Sequence, residues 1–346
     1  MRSWSPSTRS STTSVDRGAA AERYLPAAWG AVQSFPIVPR DLKPVWISEN
    51  VTFRVTDDRD GGAYVLRLHR PGYHGLDALN SERAWTEALA RAGVGAPVGL
   101  RTREGVWFVP VAGPDNDETR YAGMASWTEG EVLSDLMKRE NAAESPGRFR
   151  QLGAAVAALH NQAGAWTLPA GFTRHALDTD GLMGEAPWWG QFWDSPLLSA
   201  SERSLAATTR LKIAAALDRL GRDRSIFSLI HADLHPDNVL VSGDRLTVID
   251  FDDAAFGWHA YDLAVAIFHL QPEPNFAQAQ AALMAGYRSA RALSADTEAL
   301  IPMFLLIRGL AVIGWLSQRP EHDPAPFLAS MKGLIMGQCE AFPSPT

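Results

Sequence analysis

The chain has 346 residues, 46% hydrophobic and 21% charged, with a formal net charge of −7. That size suits one large folded unit or two lobes around a buried core. An acidic balance with no basic block argues against a nucleic-acid partner, and the single cysteine, Cys339, rules out an intrachain disulfide and fits a reducing cytoplasm.

The opening stretch, "MRSWSPSTRSSTTSVDRG", is polar and rich in Ser and Thr. It lacks the apolar segment of a secretory signal. Residues 1–24 are expected to be a disordered tail, and 25–34 a short helix. "VWISENVTFRVT" and "AYVLRLHR" each alternate apolar with polar residues around the turn signal "DDRDGG", so a β-hairpin is expected. "DALNSERAWTEALARAG", 77–93, has helical spacing through Leu79, Ala84, Trp85, Ala88 and Leu89, and ends in Gly93. "GVWFVPVAG" and "YAGMASW" read as strands on either side of "PDNDET". Residues 25–127 are therefore predicted to be a small β-sheet lobe with one main helix.

Residues 128–346 change character. Amphipathic patterns at "RFRQLGAAVAALHNQAG", "SLAATTRLKIAAALDRLG", "YDLAVAIFHL" and "FAQAQAALMAGYRSAR" predict a larger, mostly α-helical lobe. The fold class is α+β. The longest apolar run, "IPMFLLIRGLAVIGWL", is short for a membrane span and carries Arg308 in its middle. A buried helix is expected there, and no membrane partner. The lobes meet near 126–131 without a long linker, which favours a cleft between them as the ligand site.

The densest chemistry lies in "HADLHPDNVL", 231–240, directly after the apolar "IFSLI". Charged groups are seldom buried without partners. "VLV" and "LTVID" flank the turn "SGDR" as two strands of a hairpin, which brings Asn238 beside Asp250. Asp233 lies five residues before Asn238, across a Pro-bearing turn. Two carboxylates and an amide oxygen suit a hard cation such as Mg²⁺, which takes few protein ligands and fills its shell with water and phosphate. Two other readings stand beside this one. The stretch can be a polar turn with Asp250 as its salt-bridge partner. It can also be a zinc site of His231, Asp233 and His235, against which Pro236 and the lack of a second histidine cluster weigh.

"HADLHPDN" followed by "VIDFDD" resembles the catalytic core of the aminoglycoside phosphotransferase and choline kinase group, within the protein-kinase-like superfamily. The resemblance covers roughly residues 40–320 and runs nearest to the bacterial stress-response kinase and type II homoserine kinases. It implies a bilobal protein-kinase-like fold and an ATP- and Mg²⁺-dependent phosphotransferase. Asp233 would be the catalytic base, with His231 bracing the loop. Asn238 and Asp250 would hold the metal, and Asp262 would accept from catalytic-loop amides. Arg67 in "YVLRLHRPG" stands where the family's nucleotide-binding lysine lies, paired with Glu82, although Arg and Lys are not equivalent where geometry is tight. "ISENVTFRV" resembles the phosphate loop, with Ser48 and Asn50 assisting.

The acceptor is expected to be a small-molecule hydroxyl of the amino-alcohol or aminoglycoside kind. Only eleven residues separate Asp250 from Asp262, too few for the activation loop of a regulated protein kinase. Asp237, Asp252 and Asp253 would favour an amine, and Trp188, Trp189, Phe192 and Trp193 could add cation–π attraction or simply pack. A serine/threonine protein kinase and a nucleotide-binding pseudokinase are the alternatives.

Overall fold

A computed structural model describes residues 21–47, 50–114, 118–139 and 145–343. The first lobe is built on a six-stranded antiparallel sheet in the order β1-β2-β3-β6-β4, with β5 also paired to β6. Its strands are β1 (Pro39–Ile47), β2 (Val51–Asp57), β3 (Ala63–Leu68), β4 (Gly99–Leu100), β5 (Phe108–Ala112) and β6 (Thr119–Ser126). Alternation puts Phe53 and Val55 of β2, and Leu66 and Leu68 of β3, into one core with Met124. Helix α1 (Leu25–Val32) closes that core with Ala28, Ala31 and Val32. The lobe starts before residue 25, because Ala21 is buried in the same cluster.

Two features of this lobe differ from expectation. "VWISENVTFRVT" is not one strand: Ile47 pairs back onto Val51, so the run folds into the end of β1 and the start of β2. With β3 on its other side, β2 has backbone partners along both edges, which more fully satisfies its N–H and C=O groups. Helix α2 (Leu76–Arg91) sends Trp85 and Leu89 into the core of the larger lobe. The Trp85 indole meets Phe251 edge-on at 5.4 Å and donates to Gln162 Oε1 at 2.9 Å. The helix thus joins the two lobes.

The larger lobe carries the helices α3 (Ser145–Ala165), α4 (Ala200–Leu220), α5 (His259–Ile267), α6 (Phe276–Ala290) and α7 (Ile301–Ser317). A capping box of Ser199 and Glu202 starts α4. Where α3 crosses α6, a Cβ on Gly153 would lie 2.0 Å from Leu283 O, and one on Gly286 would lie 1.9 Å from Arg150 O. Only glycines allow the backbones to approach this closely. Two small sheets are set among the helices. One is β11-β10-β7, from Arg245–Val248, Val239–Ser242 and Glu131–Val132; the other is β8-β12-β9, from Ala176–Leu177, Ala255–Trp258 and Phe227–Ile230. A short helix, Ala295–Ala299, leads into α7. Residues 295–317 form the one helical stretch among the described residues long and apolar enough to cross a membrane, and 72% of its most apolar window is buried inside the protein.

Candidate active site

The motif region sits where the lobes meet. Strand β9 delivers the chain to His231, and the β10–β11 hairpin turns it back, with Val239 opposite Val248 and Ile249 N–H donating to Asn238 O at 2.9 Å. Asn238 and Asp250 are therefore brought to the same end of the hairpin, as the spacing implied. Two non-glycine residues there have left-handed backbones, Ala232 at φ 66° and Asp250 at φ 64°. Such conformations are costly and persist where surrounding contacts hold them.

At Ala232 the holding group is Asp262. Its fully buried carboxylate accepts from His231 N–H at 2.9 Å and Ala232 N–H at 2.7 Å. Burial pushes this carboxyl up, against the pull of His231 and the two backbone donors. Burial also drives His160 down to about 3, so its ring is neutral. Its Nε2–H then donates to Asp262 Oδ2 at 3.1 Å, while Nδ1 accepts from the Tyr287 hydroxyl at 3.0 Å. The close α3–α6 crossing makes that last contact possible. Asp262→Ala would strand two buried backbone N–H groups at about 1–3 kcal/mol each and would also take the acceptor of the His160 Nε2–H. A loss of roughly 2–6 kcal/mol of stability is expected in urea denaturation. A loss below ~1 kcal/mol would show that the loop is held elsewhere.

His231 is fully buried and braces the loop through its ring. Nδ1 accepts from Asp233 N–H at 3.3 Å, so Nε2 carries the hydrogen and donates to Ile249 O at 3.0 Å. With both ring nitrogens committed, His231 offers nothing to zinc. His235 is likewise held, 3.3 Å from Asp233 Oδ2 and 3.5 Å from Asp237 Oδ2.

Asp233 faces the cleft between the lobes. Its Oδ1 accepts from Arg308 of α7, and its Oδ2 from Asn238 Nδ2 at 3.1 Å. Burial pushes the Asp233 carboxyl up, but His235 and Arg308 outweigh it and hold it below the ordinary carboxylate range. A carboxylate this acidic is ionised at neutral pH and can accept a hydrogen bond from an incoming hydroxyl. The Asn238 amide nitrogen also donates to Asp233 O at 2.9 Å, which leaves its oxygen, the atom a hard cation takes, as its other polar atom.

Arg67, Asn50 and Asp250 line the same cleft. The expected Arg67–Glu82 pair does not form. Instead Arg67 donates to Asp250 Oδ1 at 2.8 Å, and Glu82 is buried on α2 with Oε2 lacking a hydrogen-bond partner. Burial disfavours the Arg67 charge, but Asp250, Asp252 and Glu82 together raise its pKa. A carboxylate in direct contact outweighs a more distant one. Asn50 bridges across the cleft: Nδ2 donates to Asp252 Oδ2 at 3.1 Å, and Oδ1 accepts from Arg70 N–H at 2.9 Å. Ser48 lies outside the described residues.

Each of the acidic residues expected to attract an amine has a hydrogen-bond partner within the protein. Asp252 takes Asn50 and faces His69 Nδ1 at 3.7 Å. Asp253 accepts from the Tyr73 hydroxyl, and burial with the nearby Asp233 charge pushes it up to about 7. Asp237 accepts from Ser134. Of the four aromatics, Trp189 lines the cleft. Trp188 stacks on His175 at 3.6 Å and donates to the Tyr73 hydroxyl, Phe192 is buried, and Trp193 packs on Phe192 and under Arg210.

Two arginines of the site escaped the sequence reading. Arg174 donates to the carbonyls of Asp252 and Ala254, each at 2.5 Å, and so fixes the backbone after Asp250. Nothing local in the sequence marks it. Arg308 did carry a signal: a lone charge amid sixteen mostly apolar residues requires a buried anionic partner. That partner is Asp233.

Residues 41–293 match the model of the phosphotransferase enzyme family. A homoserine kinase from Methylobacterium radiotolerans is 30% identical over 334 residues, covering 91% of this chain and 92% of its own length. The solved structure of a microcompartment-associated aminopropanol kinase is 30% identical with a TM-score of 0.77, covering 91% of this chain and 95% of that one. An amicoumacin kinase solved with AMP-PNP and Ca²⁺ shares the fold at 17% identity, with a TM-score of 0.75 over 93% of this chain and 95% of that one.

Proposed function

The chain belongs to the phosphotransferase enzyme family, and from that premise we propose that it moves the γ-phosphoryl group of ATP to the hydroxyl of a small organic acceptor. The observation that carries this is one cleft lined by both Asp233 and Asp250, with Asn238 hydrogen-bonded to Asp233. Phosphoryl transfer asks a protein for positioning and charge neutralisation rather than covalent chemistry. Asp233 accepts the hydrogen bond of the acceptor hydroxyl and so aims its oxygen at the γ-phosphorus. The new O–P bond forms as the bond from that phosphorus to the ADP oxygen breaks, and the hydroxyl proton passes to Asp233 and then to water. Arg67 supplies positive charge beside the phosphates. Asn50 and Arg174 keep the 250–254 segment in place.

Asp250 and Asn238 fit a Mg²⁺ site. They are oxygen donors, and one carboxylate with one amide is the sparse set that this cation accepts when phosphate completes its shell. Among the described residues no group of three or more His, Cys, Asp or Glu forms a self-sufficient metal cage. Bound there, Mg²⁺ would neutralise charge on the phosphates.

The related homoserine kinase and aminopropanol kinase are named for short, hydroxyl-bearing amino compounds. That supports a small acceptor here, in preference to a protein. A binding-only role finds no support in a carboxylate so elaborately held beside the phosphate side of the cleft. Purified protein, ATP and MgCl₂ should release ADP and phosphorylate at least one member of a panel of amino-alcohols, hydroxy amino acids and aminoglycosides. Labelling of protein Ser or Thr with no small-molecule turnover would overturn the assignment.

A further inference from the structure

The homoserine kinase and the aminopropanol kinase, each 30% identical to this chain, leave the acceptor's chemistry open, since homoserine carries a carboxylate and aminopropanol does not. The cleft wall contributed by α7 bears on this. Arg308, Ala311, Val312 and Trp315 all line it, a spacing of three, four and seven residues that puts them on one helix face. Arg308 is 4% exposed, and one of its terminal nitrogens is on Asp233 Oδ1. Its Nε is buried with no hydrogen-bond partner. A guanidinium has five N–H donors in a rigid fork matched to a carboxylate; the bond to Asp233 uses one, and the buried Tyr261 hydroxyl also lies against the group. Beyond Arg308, the helix offers the small side chain of Ala311 and the apolar surfaces of Val312 and Trp315. Trp189 closes the wall, with the Arg308 guanidinium 5.9 Å from its ring centre. Trp189 can come this close because Gly314 faces it: a Cβ there would lie 2.7 Å from Trp189 O.

Building on the kinase reading above, we propose that Arg308 is a specificity-determining residue that binds a carboxylate of the acceptor, so that the preferred acceptor is a short hydroxy acid rather than an amino alcohol. The placement also limits acceptor length. Asp233 holds the hydroxyl and Arg308 touches Asp233. The hydroxyl and the carboxylate must therefore lie only a few bonds apart.

The test compares matched acceptors that differ by one carboxylate, L-homoserine against 3-amino-1-propanol and L-serine against ethanolamine, with ATP and MgCl₂. The wild-type protein should use the better acid with kcat/KM on the order of a hundredfold above its amino-alcohol counterpart, the scale of a charged hydrogen bond lost from a built site. Arg308→Gln should lower kcat for both acceptors, because it removes an anchor of Asp233, and should in addition reduce that ratio to within about threefold by raising KM for the acid alone, with KM for ATP unmoved. Arg308→Lys should recover part of it, since the charge remains and the fork is lost. Thermal denaturation establishes that each variant folds, and the wild-type ratio needs no variant. Equal or better use of the amino alcohols overturns the proposal while leaving the kinase reading intact. So does an unchanged ratio in Arg308→Gln with kcat lowered equally for both acceptors, which would make Arg308 a partner of Asp233 alone. No transfer to any of these acceptors or to an aminoglycoside overturns both.

Discussion

Asp233→Asn is expected to lower kcat by about 10²–10⁴-fold, the usual contribution of a positioned general base, with KM for ATP changed by less than about twofold. The carboxylate has two tasks. In the proposed reaction it accepts the hydrogen bond of the acceptor hydroxyl, and in the structure it anchors Arg308 and His235. An amide keeps the shape but offers one acceptor oxygen and no charge. It also leaves the buried Arg308 cation without its anion, which is costly. The acceptor KM should therefore rise along with the fall in kcat. The nucleotide side should be spared, because Arg67 makes its contact with Asp250 and not with Asp233. Steady-state kinetics with each substrate varied in turn separates these effects. If Asp233→Asn turns over within tenfold of wild type, the residue is not the base, and the acceptor hydroxyl lies elsewhere in the cleft.

Asp250→Ala should abolish divalent-cation-dependent turnover. It removes the one anionic donor of the proposed metal site, leaving the neutral Asn238 oxygen, and Mg²⁺ binds weakly to so sparse a set. It also releases Arg67, which loses its 2.8 Å partner at the cleft wall. Raising MgCl₂ should not restore activity to Asp250→Ala. Asn238→Ala should be less severe and partly rescued by high MgCl₂, since the carboxylate remains. Its additional loss is the hydrogen bonds that Asn238 makes to the Asp233 carboxylate and carbonyl. Mn²⁺ titration monitored by electron paramagnetic resonance in the presence of AMP-PNP gives a readout independent of turnover. Asp250→Ala that binds Mn²⁺ as tightly as wild type would remove Asp250 from the metal site.

Much of the site was legible because its parts are close in the chain. A short hairpin can close in few ways, so "NVLVSGDRLTVID" by itself places Asn238 beside Asp250. His231, Asp233 and Asn238 share one turn, and their mutual contacts follow from it. The strands with strict alternation and the helices with clear periodicity were legible for the same reason, as in Phe53 and Val55 of β2 or Leu152, Val156 and Leu159 of α3. Asp262 was legible only through resemblance, since nothing in "YDLA" tells which distant amides its carboxylate meets.

The partners of the charged groups were decided elsewhere. Arg67 is 183 residues from Asp250, Arg308 is 75 from Asp233, and Asn50 is 202 from Asp252. A buried charge dictates that a partner exists, but many pairings satisfy that demand equally well in the sequence. Which carboxylate lies within 3 Å of a given guanidinium is fixed by how the two lobes and α7 pack, and Coulomb energy rises steeply at that range. For this reason Glu82 lost Arg67 to Asp250, and the aspartates expected to attract an amine also accept hydrogen bonds from the neutral groups of Asn50, Tyr73 and Ser134. The sequence by itself determined which chemical groups the hairpin gathers, the carboxylates of Asp233 and Asp250 and the amide of Asn238. The tertiary structure alone decided which partner each charged group meets, because those partners lie far away in the chain and are brought together only by packing.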